Sequence, residues 1–326
     1  MTVLYDYDRA DFDVSPTPCE RSAAFVRKRL EYDSLAPSRH PEADGVVAHL
    51  FESHERRSVR PVIFLHGMGK YSYKPLLAFP RKLAERGVPS VFLTLPLHFE
   101  RAPKGAEGGQ TYMFDDLDDT LRNFRQAVVD VRSCLDFMED EGFVADGFTL
   151  LGISFGGMIA TIAMGVDKRI QNAVLCVTGG NLMHILWHSI MTRGLRSQGK
   201  EAAICDCGRN RCRRRRRGYR EYLNSLDSPE DLDRMEPPMS CFWFDPLTFA
   251  RFIRGREVVM YNAMFDPIVP HRASHELWEE LGCPERHFML CEHNTIVLYR
   301  RTIVRRTAEL ARKSQRGVKE SWPGAE

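Results

Sequence analysis

Ser154 lies in Gly152-Ile153-Ser154-Phe155-Gly156, a serine with a glycine two residues to either side. Phe148-Thr149-Leu150-Leu151 before it is strand-like, and the run from Gly157 to Met164 after it is helical in pattern. A G-x-S-x-G segment in that context predicts a tight strand-to-helix turn with the serine at its apex. The reason is steric, because neighbours without a Cβ let the strand, the turn and the helix approach one another. The hydroxyl then projects past the sheet, beside a helix N-terminus whose N–H groups face developing negative charge. That placement suits nucleophilic attack on a carbonyl.

A second buried strand, Val62-Ile63-Phe64-Leu65, runs into the turn His66-Gly67-Met68-Gly69. Such a turn can aim a backbone N–H at the oxygen of a tetrahedral intermediate, paired with the N–H that follows the nucleophile. Met68 and Phe155 are the expected donors of this oxyanion hole. A phosphate loop ending at Gly69-Lys70 needs glycine at position 64 and Ser or Thr at position 71, and the chain has Phe64 and Tyr71 there. That alternative is rejected on spacing. His66 and Gly67 are candidates for substrate contact, as are His98 and Arg101 after the strand Val91–Leu95. An arginine there could bind a substrate carboxylate.

A serine nucleophile needs a base, and the base needs an acid to orient it. After a central-strand nucleophile the expected order is Ser, acid, His. Asp245 and Asp266 each precede a proline, but only Asp266 follows a strand-like run, Val258 to Met264. Gly179-Gly180-Asn181, at the other position an acid could take, has none. Of the later histidines, His271 is too near Asp266, His275 falls in an expected helix and His287 at a strand start. His293 lies in the loop Cys291-Glu292-His293-Asn294, before the last helix. The expected triad is Ser154, Asp266 and His293.

The elements that must position these groups alternate along the chain, the pattern of a mostly parallel sheet covered by helices. Strands are expected at Val46–Phe51, Val62–Leu65, Val91–Leu95, Phe148–Ile153, Ala173–Val177, Val258–Asn262 and His287–Leu290. Helices are expected at Asp116–Glu141, Gly157–Gly165, Ala273–Leu281 and Thr295–Lys313. In the last, Ile296, Tyr299, Ile303 and Leu310 form an apolar stripe interrupted by Thr307. The 326 residues, 43% hydrophobic and 28% charged, suffice for a large α/β domain without disulfide or metal support.

The balance of 46 Lys+Arg against 44 Asp+Glu argues against wrapping nucleic acid. No apolar run approaches the roughly eighteen residues of a transmembrane helix. The acidic N-terminus lacks signal-peptide order, and with nine cysteines, an odd number, a reducing cytoplasm is expected.

One interval breaks the alternation. Residues 181–256 contain no convincing strand and are expected to form a helical cap inserted between two core strands. Cys205, Cys207 and Cys212 are spaced C-x-C-x4-C with no fourth ligand at standard spacing, so no metal is expected. Arg213 to Arg217 form a basic run, followed by Glu221, Asp227, Glu230, Asp231, Asp233 and Glu236. Contact between these stretches, within the chain or between two copies through the cap, is preferred over nucleic-acid binding.

Phe64 to Gly69, Leu150 to Gly157, Met264 to Pro270 and Leu290 to Asn294, in that order, resemble the α/β-hydrolase superfamily over about Gly45 to Lys313. Leu95 to Gly105 and Cys241 to Ala250 are similar to a bacterial, serine esterase or dienelactone-hydrolase-like branch of it. The resemblance implies a mostly parallel eight-stranded sheet flanked by helices, the Ser154–Asp266–His293 triad, the Met68–Phe155 oxyanion hole and no cofactor. The core is then 45–180 with 257–313, flanked by an N-terminal extension (1–44) and a tail (314–326). It implies cleavage of a small-molecule ester, with a peptidase, an acyltransferase or a non-catalytic binding protein as alternatives. A serine nucleophile disfavours dehalogenase, epoxide hydrolase and dienelactone hydrolase activity. The base loop departs from the pattern, reading Cys-Glu-His-Asn where Gly-His is commoner.

Overall fold

Runs of Val, Ile, Leu and Phe without polar alternation occupy the middle of the sheet, as strands covered on both faces must. The computed structural model describes residues 4–10, 14, 16–55, 59–68, 72–105, 116–143, 146–197, 209–210 and 216–312. Among these are nine strands: β1 Thr17–Arg21, β2 Phe25–Asp33, β3 Gly45–Ser53, β4 Val62–Leu65, β5 Ser90–Leu93, β6 Phe148–Ile153, β7 Ile170–Cys176, β8 Glu257–Phe265 and β9 Glu285–Glu292. They form one sheet in the order β1-β2-β3-β5-β4-β6-β7-β8-β9. The pairings from β5 to β9 are parallel, and β1, β2 and β3 are antiparallel to their neighbours.

The pleat sorts each strand's side chains into two apolar layers. Ile63, Leu65, Leu150, Leu175 and Met260 join the first, with Phe124, Val128, Val131 and Leu135 of the helix Leu117–Asp140 and Ile159 and Ile162 of the helix Phe155–Val166. Val62, Phe64, Leu151, Val174 and Val259 join the second, with Phe79 and Leu83 of Ala78–Ala84 and Ile303, Val304 and Ala308 of Arg300–Arg312. Full burial of each such Val, Leu, Ile, Phe or Met contributes about 1.5–3 kcal/mol. Asp116 caps the long helix by accepting from the N–H of Asp119, which fixes where it starts. The last expected helix divides into a 3-10 segment, Asn294–Tyr299, and an α-helix, Arg300–Arg312. Thr307 is no interruption of its stripe, because its buried hydroxyl donates to the Ile303 carbonyl at 2.8 Å.

The sheet has one strand more than the expected eight, and the difference arises in residues expected to be an extension. β2 pairs with β3 along its full length, from Phe25 opposite Ser53 to Asp33 opposite Gly45. Its Arg27, Lys28 and Arg29 are partly exposed and meet Glu20, Glu52, Glu31 and Glu100. A strand whose charged side chains are partly exposed lacks the apolar run used to find the central strands.

The interval 181–256 contributes in two places. Its described residues form short helices, including Leu182–His188, Tyr219–Ser225 and Pro246–Ala250, and no strand. Pro246–Ala250 packs in the first helical layer, where a Cβ on Gly165 would lie 2.7 Å from Phe249 Cβ. Leu182–His188 starts at the sheet edge, with Asp245 accepting from the N–H groups of Asn181 and Leu182, both at 2.8 Å. Cys205, Cys207, Cys212 and Arg213 to Arg215 lie outside the described residues. Arg216 pairs with Glu276 at 2.5 Å, and Arg220 with Glu280 at 3.5 Å. Arg216's partner therefore lies on the helix His271–Glu280, not in the acidic stretch expected.

Arg101 also differs from expectation. Its side chain is buried, and its guanidinium donates to the Ala43 and Thr94 carbonyls and pairs with Asp130 at 2.7 Å. Ser34 Oγ donates to the other Asp130 oxygen at 2.5 Å. Burial raises the Asp130 carboxyl above its ordinary range, against the lowering effect of Arg101. The pair ties the β2–β3 connection and the loop after β5 to the helix Leu117–Asp140, so Arg101 serves the fold and not a substrate carboxylate. Removing one partner of such a pair costs about 3–5 kcal/mol, and replacing both with apolar groups costs far less. Urea unfolding should show Arg101→Met strongly destabilised and Arg101→Met with Asp130→Leu largely restored. Equal stability of parent and single variant would remove the pair's structural role.

Candidate active site

Ser154 joins β6 to the helix Phe155–Val166 with φ 55° and ψ −118°, a region costing a non-glycine residue about 1–3 kcal/mol. Hydrogen bonds hold it there. Its N–H donates to the Cys176 carbonyl at 2.8 Å, and its own carbonyl accepts from Gly157 N at 2.9 Å and Thr178 Oγ1 at 2.8 Å. The flanking glycines permit close approach. A Cβ on Gly156 would run into the Leu65 and His66 carbonyls, and one on Gly152 would lie 2.6 Å from the Gly156 oxygen.

His293 follows β9 and Asp266 follows β8, so parallel pairing brings both to the edge of the sheet where β6 ends. Nε2 of His293 is 2.8 Å from Ser154 Oγ, and Nδ1 is 2.9 Å from each Asp266 carboxylate oxygen. Asp266 Oδ1 accepts from the N–H groups of Ile268 and Val269 at 2.9 and 2.8 Å, which orients the carboxylate. A carboxylate facing Nδ1 favours the tautomer with its proton there, leaving Nε2 to accept from the serine hydroxyl. All three groups named from the sequence are thus in contact. His271 bonds the Met264 carbonyl and His287 bonds Glu285.

The turn after β4 lies against Ser154, where a Cβ on Gly67 would stand 3.1 Å from Ser154 Cβ. His66 and His98, expected as substrate contacts, are buried. His66 Nε2 accepts from Leu95 N at 3.0 Å, so Nδ1 carries the proton and donates to the Gly67 carbonyl at 2.7 Å. Burial first, then the neighbouring His98, pushes its pKa well below the ordinary value. His98 Nδ1 bonds the Pro96 carbonyl at 2.7 Å, and its ring stacks near Phe155. Both residues hold the loops behind Ser154.

Met68 and Phe155 line a pocket that opens to solvent, with Ser154, Met158, Leu182, Ile185, Leu186, Met191, Thr192, Ile268 and Val269. Sequence reasoning found the first three and missed the others, since an apolar residue on a helix carries the same pattern whether it faces a core or a cavity. Among the described residues, no group of three or more His, Cys, Asp or Glu is placed to hold a metal, and no helix is long and apolar enough to cross a membrane.

A parallel sheet with Ser, Asp and His at the carboxyl ends of its strands defines a hydrolase-type α/β fold. A model of the alpha/beta hydrolase family matches residues 62–325, and the chain belongs to that family. Two uncharacterized proteins of Mycobacterium tuberculosis, from strains CDC 1551 / Oshkosh and ATCC 25618 / H37Rv, are each 27% identical over 205 residues, 62% of this chain. The match covers 41% of their length, so the chain spans about two fifths of these relatives. Acetyl xylan esterase from Paenibacillus sp. R4 has a TM-score of 0.63 at 16% identity over 91% of this chain and 88% of its own. Acylaminoacyl peptidase from Pyrococcus horikoshii has a TM-score of 0.54 at 14% identity over 87% of this chain and 40% of its own. At such identities the likeness shows the fold.

Burial lowers His98 from 6.5 to about 4. Between those values the unfolded chain binds a proton that the native state does not. His98 therefore contributes stability that is present above pH 6.5 and lost as pH falls towards 4. The slope approaches about 1.4 kcal/mol per pH unit for one histidine. Urea unfolding across this range should give a shallower loss for His98→Asn than for the parent. Identical slopes would show that His98 is not held neutral.

Proposed function

We propose that this hydrolase cleaves a carboxylic ester-type bond through an acyl-enzyme on Ser154. The observation that carries the reading is the bridge made by His293, 2.8 Å from Ser154 Oγ and 2.9 Å from Asp266. His293 Nε2 takes the hydroxyl proton as Oγ attacks the carbonyl carbon, and the oxyanion faces the N–H groups of Met68 and Phe155. As the tetrahedral intermediate collapses, the bond to the leaving alcohol breaks and His293 passes the proton to it. Water then repeats the sequence with His293 as base, releasing the carboxylic acid and restoring Ser154. Asp266 holds the tautomer and stabilises the imidazolium. The helices between β7 and β8 serve as a cap, supported by the place of Leu182, Ile185 and Leu186 in the pocket wall.

The same groups can open an amide, and the fold shared with the acylaminoacyl peptidase keeps peptide-type bonds as the second reading. Parallel assays of acyl esters, thioesters and aminoacyl amides decide between them. A fluorophosphonate should label Ser154, and Ser154→Ala should reduce kcat on p-nitrophenyl esters by about three orders of magnitude or more. Asp266→Asn should cost on the order of 10⁴ in kcat, the penalty for the wrong tautomer. Full ester hydrolysis by folded Ser154→Ala would overturn the assignment.

A further inference from the structure

Ser154 is gripped at both ends by the residues that close β7. Its N–H donates to the Cys176 carbonyl at 2.8 Å, and its carbonyl accepts from Thr178 Oγ1 at 2.8 Å. Between those two partners stands Val177, with φ 44°. A branched side chain crowds its own backbone in that left-handed region, which glycine and asparagine enter far more readily. Of the six non-glycine residues with positive φ among those described, Val177 is the one that is β-branched.

Two contacts hold Val177 there. Its N–H donates to the Tyr261 carbonyl of β8 at 2.7 Å, and its side chain is buried in the second apolar layer. The consequence falls on the next residue. Along an extended strand, a side chain at 178 would stand perpendicular to the sheet. The left-handed turn at Val177 breaks that course, and Thr178 Oγ1 comes instead to the carbonyl at the apex of the neighbouring turn.

Thr178 is buried, and its fit is close. A Cβ on Gly157 would lie 2.7 Å from Thr178 Cβ and 2.8 Å from both Cγ2 and Oγ1. Glycine at 157 therefore makes room for this side chain in the first turn of the helix Phe155–Val166. The Ser154 carbonyl already accepts from Gly157 N at 2.9 Å and Met158 N at 3.2 Å, the bonds that start the helix. A third donor is not needed to satisfy that oxygen, but it fixes the direction of the peptide plane. With its N–H and its carbonyl both anchored on the end of β7, Ser154 has little freedom in φ or ψ. Oγ is thereby aimed at His293 Nε2, 2.8 Å away, a bond that weakens steeply as its angle opens.

We propose that Thr178, presented by the left-handed turn at Val177, is a positioning residue for attack by Ser154. The proposal rests on the serine hydrolase reading. Thr178 acts through the Ser154 backbone, since its hydroxyl proton goes to the carbonyl and not to Oγ or His293. It should therefore bear on kcat and leave KM largely alone.

The full chain is assayed on p-nitrophenyl butanoate, with fluorophosphonate labelling and urea unfolding of the same preparations. Thr178→Val keeps the branched shape and loses the donor. Its kcat should fall about 10- to 100-fold, the range that a small misplacement of a reacting group commands, with KM changed less than about twofold. The rate of fluorophosphonate labelling should fall in the same proportion. Thr178→Ser, which keeps Oγ, should recover most of both rates. The pH profile of kcat/KM should keep its shape in both variants, because the contact of His293 with Asp266 is untouched. Should Thr178→Val fail to fold, Thr178→Ala, which leaves the carbonyl uncrowded, carries the same comparison.

A structural role alone would lower the urea midpoint of Thr178→Val while the folded variant kept the parent kcat, and that result overturns the proposal. So does a loss confined to KM, a Thr178→Ser variant as slow as Thr178→Val, or a displaced pH profile. Labelling keeps this failure distinct from failure of the hydrolase reading. If parent and Thr178→Val label at Ser154 at equal rates, the positioning role ends and the hydrolase reading stands. If the folded parent neither labels nor hydrolyses the ester, both end.

Discussion

The backbone at Ser154 occupies a conformation that a serine does not favour, and the surrounding architecture keeps it there. The turn survives because the end of β4 and the first turn of the helix Phe155–Val166 press against each other at Gly156. There the Leu65 and His66 carbonyls leave no room for a side chain. Rotating Ser154 to a relaxed geometry would lift the helix from β4 and break the bond from its N–H to the Cys176 carbonyl. The strain is offset by two packed layers of side chains on either face of the sheet. The rest of the site depends on that point, since His293 Nε2 meets a hydroxyl only where Ser154 Oγ stands.

This dependence explains which parts of the molecule were legible in the sequence. Close approach demands glycine, so Gly152, Gly156 and Gly67 mark the site by what they lack. The order of Ser154, Asp266 and His293 follows from parallel strands that bring successive loops to one edge. Asp245 and Asp266, both before proline, differ in the strand preceding Asp266, and their duties separate accordingly. Asp266 faces His293, whereas Asp245 caps the helix Leu182–His188.

What escaped was set by tertiary context. β2 is a strand because β3 offers it a full register of partners, and no local pattern announces that. Arg101 sits in a loop beyond the end of β5, where a charge suggests a ligand, yet Asp130 waits for it on a helix 29 residues later. Asp130 falls within an amphipathic pattern and gives no sign of a buried charge. The pocket wall was hidden for the opposite reason, because Met158, Leu182 and Leu186 look like core and most of their surroundings are core.

The histidines near Ser154 show how burial and hydrogen bonding divide one residue type between two duties. His66 stands close to Ser154, but one ring nitrogen accepts from Leu95 and the other donates to Gly67, so neither is left to take a proton. His98 and Arg101 behind it add to the cost of charging that ring. His66 is therefore fixed as a neutral strut for the turn that carries Met68. His293 has the reverse environment, with a carboxylate on one nitrogen and the serine hydroxyl on the other. A charge formed there meets Asp266 at once, whereas a charge on His66 would meet none. Sequence position suggested His293 as the base, and the surroundings of the two rings support that proposal over His66.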